Sequence, residues 1–263
     1  MIRYRSGVTR TVGVASKTKQ DGAAALPASS DGVAALDRAV AILNAFTPQD
    51  RALSLAEIAA RTGLYKSTIM RLAGSLIRGH LLERLPDGLY RIGSGAFRLG
   101  AIYQRSVAAA DILLPIMRDL AEESGESVAF YAPAGNLRTC LYRIESKHPI
   151  RYHVREGDVL PLHQGSGGRV LAAFSGESGE PYETIRRNYH YVSLGDRDPD
   201  TAGLSAPVFG PSATLVGAIT LAGPRMRIDE TFIGQMKRPL LAAAARATRA
   251  FGGDAIALER AAN

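Results

Sequence analysis

Apolar residues recur at helical spacing through residues 54–76, SLAEIAARTGLYKSTIMRLAGSL, and divide the stretch into two short helices. Ser54, with Glu57 three residues later, is a capping-box signal in front of Leu55, Ile58 and Ala59. On the second helix a 3.6-residue period gathers Ile69, Leu72, Ala73 and Leu76 on one side and Ser67, Arg71, Gly74 and Arg78 on the other. Counting from Leu55, a small residue falls at the fifth place (Ala59), glycine at the ninth (Gly63) and a branched apolar residue at the fifteenth (Ile69). Two helices that cross closely around a short turn need this spacing. Leu36, Ala39, Val40, Leu43 and Phe46 predict a further helix before the pair. After it, Leu81 to Arg84 and Leu89 to Ile92 are strand-compatible runs around the turn Pro86-Asp87-Gly88, a β-hairpin with Arg84 and Arg91 near its arms. Residues 33–93 thus predict a complete winged helix-turn-helix whose polar helix face is free to meet DNA. A plain helical hairpin with a solvated Arg/Ser face shares the central pattern; the wing separates the two readings.

Beyond residue 93 the pattern changes. Phe97, Leu99, Ile102 and Tyr103 predict a linking helix, and Ile112, Leu113, Ile116, Met117 and Leu120 a second one ending at Gly125. Strand-like runs follow at Ser127 to Ala132, Arg138 to Ile144, Gly203 to Phe209 and Leu215 to Ala222, the last two joined by a hairpin signal at Gly210-Pro211-Ser212. Gly167 to Phe174 reads as a short helix, and a long Ala-rich helix runs from about Asp229 to Phe251. Few strands joined by hairpins, with helices before and after, predict an α+β domain around a central antiparallel sheet. No internal repeat is visible. The expected division is a disordered basic tail over 1–31, the winged helix over 32–93, a linker helix over 94–106, a second domain over 107–252 and a C-terminal tail over 253–263. A chain of 263 residues with 46% hydrophobic composition can bury two cores.

Charge is unevenly spread. Residues 1–105 hold 15 Lys and Arg against 7 Asp and Glu, and residues 106–263 hold 17 against 18, so the whole formal excess of +7 lies with the winged helix. Part of it is the tail, where Arg3, Arg5, Arg10, Lys17 and Lys19 stand among Ser, Thr, Gly and Ala. Residues 32–105 alone still carry 10 basic against 5 acidic residues, as phosphate neutralisation requires. The tail has no continuous apolar segment of a secretory signal, and no run approaches the roughly eighteen apolar residues of a membrane span. The expectation is a soluble, cytoplasmic protein without a membrane partner.

Several chemistries lack their residues. One cysteine, Cys140, in the apolar run Thr139-Cys140-Leu141-Tyr142, excludes an intramolecular disulfide and a Cys-based zinc site and reads as a buried strand residue. His80, His148, His153, His163 and His190 show no ligand spacing, so neither a metal nor a cofactor is expected. Ser166 among glycines, with His163 three residues before, resembles a nucleophile, but QGSGG lacks the glycine two residues before the serine that a nucleophile elbow needs. No phosphate-binding GxxxxGK[ST] loop occurs. The competing classes are an enzyme with a fused DNA-binding domain and an architectural DNA-binding protein without effector; against the second stands a near-neutral second domain larger than dimerisation requires.

GLYKSTIMRL at 63–72, DGLYRIG at 87–93, LPLHQGSGGRVLAA at 160–173 and SAPVFGPSATLVGAITLAGPRMR at 205–227 together resemble an IclR-type transcriptional regulator along roughly residues 33–250. The resemblance implies a winged-helix reader joined by a helix to an effector-binding domain of GAF-like topology, pairing through the DNA-binding domains, and dimers or tetramers. It implies a regulator, repressor or activator, of a near-palindromic double-stranded operator. In one place the chain departs from the family, which usually has proline before the Lys-Ser-Thr where this chain has Tyr65; this weakens pre-organisation of the helix slightly.

Carried over by position, the resemblance assigns Lys66, Ser67, Thr68 and Arg71 to the DNA face, with Arg71 on base edges, Ser67 and Thr68 on phosphates, and Arg84 or Arg91 on the flanking backbone. It assigns the effector to Ser166, Gly167 and Gly168 in the loop and helix, Gly203 and Ser205 on one strand, Thr220 and Ala222 on the next, and Ser193 or Asp196 on the approach. A small organic acid suits this loop, since helix-terminal amides attract a carboxylate; the same glycines also suit a tight strand-to-helix turn. Some family members respond to aromatic catabolites, which extends the expectation to an aromatic acid.

Overall fold

Ser54 and Glu57 cap the first helix of the predicted pair reciprocally: Ser54 Oγ accepts from Glu57 N at 3.2 Å, and Glu57 Oε2 accepts from Ser54 N at 2.7 Å. The computed structural model describes residues 32–47, 49–106, 109–150 and 154–263. The expected basic tail and His153 lie outside them, as does the side chain of Tyr103. The chain forms two units that divide between Leu99 and Gly100.

In the first unit α1 (Ala34–Asn44), α2 (Leu55–Thr62) and α3 (Lys66–Arg78) precede the wing strands β1 (Leu82–Arg84) and β2 (Tyr90–Ile92); α4 (Ser94–Ser106) follows and contains the division. Gly63 ends α2 at φ +70°, the left-handed conformation that lets its N–H return to Ala59 O at 2.9 Å and turns the chain into α3. Ile42, Leu53, Ile58, Ile69, Ala73, Leu76, Leu82 and Tyr90 form the core. Arg61 on α2 donates to Ala45 O at 2.8 Å and pairs with Asp50, at 2.9 Å for Nη2, which ties the segment after α1 to α2. Its guanidinium holds the Asp50 carboxyl well below the usual carboxylate range. In the wing, Leu82 faces Ile92 and Arg84 faces Tyr90, while Leu53 adds a second, bridge-like partner to Tyr90.

One expectation needs correction here. The α1 stripe is centred on the buried Ile42, with Ala39, Leu43 and Phe46 packed around it, whereas Leu36 is 63% exposed because the first turn of α1 lies off this core. Phe97 and Leu99 of α4 stand in solvent.

The second unit is built on a six-stranded antiparallel sheet in the order β5-β4-β3-β8-β7-β6, from β3 (Ser127–Ala134), β4 (Leu137–Ile144), β5 (Val159–Pro161), β6 (Tyr191–Leu194), β7 (Thr201–Phe209) and β8 (Leu215–Pro224). Strand alternation sorts its residues onto two faces. Val128, Phe130, Leu204, Ala206, Val208, Ile219 and Leu221 face α5 (Ala109–Ser124), α8 (Glu230–Ala250) and α9 (Ile256–Ala262). Ala129, Tyr131, Cys140 and Ala218 face α6 (Gly165–Phe174) and α7 (Tyr182–Asn188). A bulge decides where β4 points: Phe130 pairs with Tyr142 but Tyr131 with Cys140, so Leu141 has no opposite residue. The extra residue reverses the alternation, sending Tyr142 to the α5 and α8 side and Cys140 to the α6 side. The expected C-terminal tail contains α9, whose Leu258 is 1% exposed and joins the same core as α8.

Removing the fully buried Ile69 side chain as Ile69→Ala should cost about 2–5 kcal/mol of stability. Lys66→Ala, three residues away and exposed, should stay within about 0.5 kcal/mol of the parent. Denaturant melts of the two variants measure both.

Candidate functional site

The exposed surface of α3 begins at its N-terminus. Tyr65 is the N-cap residue, makes no side-chain capping bond and is 82% exposed. Ser67, Arg71 and Arg78 are exposed on the side away from Ile69, Ala73 and Leu76, with the exposed Lys66 and the half-buried Thr68 to its sides. Without a capping side chain the first amides of α3 keep their donors for an outside acceptor such as phosphate. The two wing arginines differ. Arg91 Nε donates to Glu83 Oε2 at 2.8 Å, whereas the Arg84 guanidinium lies 6.0 Å from the Tyr90 ring centroid.

In the second unit, the first turn of α6 sits almost on the sheet. A Cβ at Gly167 would come within 2.7 Å of Thr220 Oγ1 and 3.2 Å of the Tyr131 ring, and one at Gly168 would overlap the Arg138 guanidinium and the Leu162 carbonyl. Ser166, one residue before, turns inward: Ser205 Oγ donates to Ser166 Oγ at 2.8 Å and lies 2.8 Å from Thr220 Oγ1, a buried chain of three hydroxyls. Beside this chain is a cavity of about 40 Å³ bordered by Ser166, Gly167, Ser193, Gly203, Thr220 and Ala222, together with Tyr131, Arg138 and Arg197.

Three of the nine residues expected at an effector do not border this cavity. Gly168 packs under Arg138, and Ser205 lies behind Ser166 and Thr220. Asp196, in the loop from β6 to β7, takes both Arg169 Nε at 2.7 Å and Arg169 Nη2 at 3.0 Å, and accepts Gly165 N at 3.0 Å. The chain therefore supplies its own carboxylate to the start of α6, where an outside anion was expected. Arg169 holds the Asp196 carboxyl below its ordinary value, and the Gly165 amide adds to this against the opposing effect of partial burial.

Arg138 and Arg197 escaped the sequence reading. The 3%-exposed Arg138 donates from Nη1 to Pro161 O at 2.6 Å and to Gln164 O, and its guanidinium stacks 5.0 Å from the centre of the Tyr131 ring. A charged residue in the otherwise mostly uncharged strand Leu137–Ile144 was the available signal. The cavity thus presents two guanidinium-bearing residues and several hydroxyls beside the Tyr131 ring, Ala202 and Ala222, and the guanidinium and hydroxyl groups suit a small anion.

The nucleophile pairing is not assembled. Ser166 Oγ is engaged by Ser205, while His163 Nδ1 lies 3.2 Å from Tyr182 Oη. Burial pushes the Cys140 thiol up to about 12, which keeps it protonated and inert. Among the described residues no group of His, Cys, Asp and Glu could hold a metal ion.

Residues 35–86 match the IclR helix-turn-helix domain, and residues 103–197 match the family of bacterial transcriptional regulator IclR C-terminal domains, together more than half of the chain. The chain is 25% identical over 271 residues to the transcriptional repressor IclR of Escherichia coli K12, covering 91% of this chain and 97% of that protein. Its fold is shared with a putative IclR transcriptional regulator from Silicibacter sp. TM1040, with a TM-score of 0.70, 21% identity and coverage of 83% of this chain and 96% of that one. It is also shared with an IclR homolog from Microbacterium hydrocarbonoxydans complexed with 4-hydroxybenzoate, with a TM-score of 0.67, 21% identity and coverage of 82% and 99%.

The Asp196–Arg169 contact makes a pH-dependent contribution with a defined sign. A carboxyl held below its unfolded value stabilises the fold above about pH 4, and that stabilisation fades as pH falls through the lower folded value. Asp196→Asn should therefore melt below the parent at pH 7, and thermal melts of the two proteins should converge as the pH drops under about 4. An equal gap at both ends would deny the ion pair any role.

Proposed function

Because the chain belongs to the IclR family of DNA-binding transcriptional regulators, we propose that it reads a near-palindromic operator as a dimer or dimer of dimers and senses a small organic acid in its second unit. The observation that carries the DNA reading is the exposed Lys66, Ser67 and Arg71 face at the N-terminus of α3, which has no capping side chain. In this reading α3 enters the major groove, Arg71 addresses base edges, and Lys66, Ser67 and Thr68 hold phosphates. Arg84 or Arg91 steadies the flanking backbone, and Arg84 is the better placed of the two because Arg91 already has Glu83.

Pairing is supported by large apolar side chains left in solvent within the first unit: Val33 69%, Leu36 63%, Phe97 82% and Leu99 49% exposed. Covering them against a second copy removes apolar surface from water and sets two α3 helices for half-sites about one DNA turn apart. No helix among the described residues is long and apolar enough to cross a membrane, in keeping with a cytoplasmic regulator.

For the effector, the guanidinium and hydroxyl groups that border the cavity favour a short, oxygen-rich acid. About 40 Å³ admits only a few water molecules, so an aromatic acid such as the 4-hydroxybenzoate of the Microbacterium protein requires the cavity to widen first. We place Ser166, Gly167, Ser193, Gly203, Thr220 and Ala222 around the ligand with Arg138 and Arg197, and give Gly168, Ser205 and Asp196 the task of shaping its walls.

Arg71→Ala should lose about 1–3 kcal/mol on the operator and relax discrimination at one base pair, whereas Lys66→Ala should weaken all sequences alike and lower the salt slope by about 1. Binding titrations across salt and operator variants separate the two roles; loss of sequence preference in neither variant would refute the division. A thermal-shift panel of short hydroxy and keto acids with 4-hydroxybenzoate tests the sensor, because a ligand of the folded state raises its stability. Arg197→Ala should abolish the shift. Gly167 is unsuited to such a test, since any side chain there strikes Thr220. DNA binding with no shift by any acid would favour the architectural reading.

A further inference from the structure

Two residues of α3 are unexplained by its core. Met70 is 53% exposed, although a flexible thioether side chain ordinarily fills core gaps. The adjacent Ile69 is fully buried, and the helical turn of about 100° per residue carries Met70 away from it toward the flank that Arg71 continues. One turn further on is Gly74, in the middle of a 13-residue helix, where glycine is among the poorest helix formers. Nothing among the described residues requires it. A Cβ at Gly74 would meet only Arg78 Nη1, at 3.8 Å, an ordinary contact, whereas at Gly95 of the same unit a Cβ would come within 2.8 Å of backbone carbonyls. Gly74 also lacks the positive φ that would make glycine necessary. An exposed apolar side chain and a bare backbone, four residues apart on one face, thus adjoin the cationic residues Lys66, Arg71 and Arg78.

We propose that Met70 is a specificity-determining residue that reads a thymine by packing its thioether and methyl against the base's 5-methyl group, and that Gly74 leaves the clearance for DNA to approach. This rests on the reading of α3 as the major-groove helix. Met70 donates no hydrogen bond and its sulfur accepts only weakly, so it is poorly matched to the polar edges of bases. The thymine methyl is the apolar feature that the major groove displays, and it distinguishes A·T from the other pairs. Lys66 and Arg71 supply the charge complementarity that brings the duplex to this face; among residues 32–105 basic side chains outnumber acidic ones by 10 to 5. The thymine lies beside the base pair addressed by Arg71.

The test uses the full-length chain and an operator selected in vitro from a random duplex pool, with each thymine of a half-site replaced in turn by deoxyuridine, which lacks only the methyl group. One thymine should stand out: its replacement weakens binding of the parent about fourfold, the worth of one buried methyl group. Met70→Ala should lose affinity for the thymine operator by a similar or larger factor and become indifferent to that replacement, at an unchanged Tm because Met70 is exposed. Gly74→Ala should raise Tm, since alanine is the better helix former, and yet bind the operator several-fold more weakly. The assignment is overturned if Met70→Ala retains the full deoxyuridine sensitivity of the parent, if its Tm falls as for a core residue, or if Gly74→Ala binds like the parent. A chain that selects no sequence from the pool overturns the reading of α3 itself, and this assignment with it.

Discussion

A helix approaches a sheet only as closely as its side chains allow, and at Gly167 and Gly168 α6 has none. Most features of the second unit follow from that approach. Thr220 and Tyr131 come up against bare backbone, Ser166 turns inward to the hydroxyls of Ser205 and Thr220, and the space beside Gly168 is taken by the guanidinium of Arg138. Arg138 in turn binds the carbonyls of Pro161 and Gln164, so it joins the end of β5 to the start of α6. It reaches this position because the bulge at Leu141 turns the first half of β4 toward α6. A buried arginine is costly unless its donors are engaged, and here the carbonyls that engage it belong to the loop that borders the cavity. Any ligand that widens the cavity must displace groups already hydrogen-bonded to one another, which links its binding to the geometry of α6 and the loop holding Asp196.

The first unit works on a different principle. Its core is made of ordinary apolar contacts, and α2 is closed at its ends by a capping box and a left-handed glycine. What distinguishes it is outside: exposed cations on α3, an N-terminus without a capping side chain, and apolar residues left in water on α1 and α4. Exposed groups of these kinds are expected where a surface meets DNA and a second copy.

The helix-turn-helix and wing were legible in the sequence because they rest on local signals: Ser54 with Glu57, Gly63, and Pro86-Asp87-Gly88. The long strands β3, β4, β7 and β8 were legible as strand-compatible runs, the last two also through the Gly210-Pro211-Ser212 hairpin signal. Short elements without a turn signal of that kind were not. β5, β6, α7 and α9 are three to seven residues long, too few for a period to emerge, and their sequences make sense only against a sheet edge or α8. Leu36 and Phe97 show the opposite failure, a correct helical period that does not face this chain's core. In the cavity, Ser166, Gly167, Gly203, Thr220 and Ala222 share a wall through strand register and helix contact, whereas Arg138 depends on a bulge and Asp196 on an ion pair 27 residues from Arg169. Long-range contacts of that kind leave no trace in spacing.

Which groove α3 occupies is the point on which the DNA reading turns, and chemical protection on the selected operator measures it directly. Dimethyl sulfate methylates guanine N7 in the major groove and adenine N3 in the minor groove, and only the first lies where α3 would insert. The account predicts that the full-length protein shields guanine N7 in two half-sites about 10 base pairs apart, or a multiple of that, and leaves adenine N3 between them reactive. Protection of adenine N3 with guanine N7 fully reactive would contradict it.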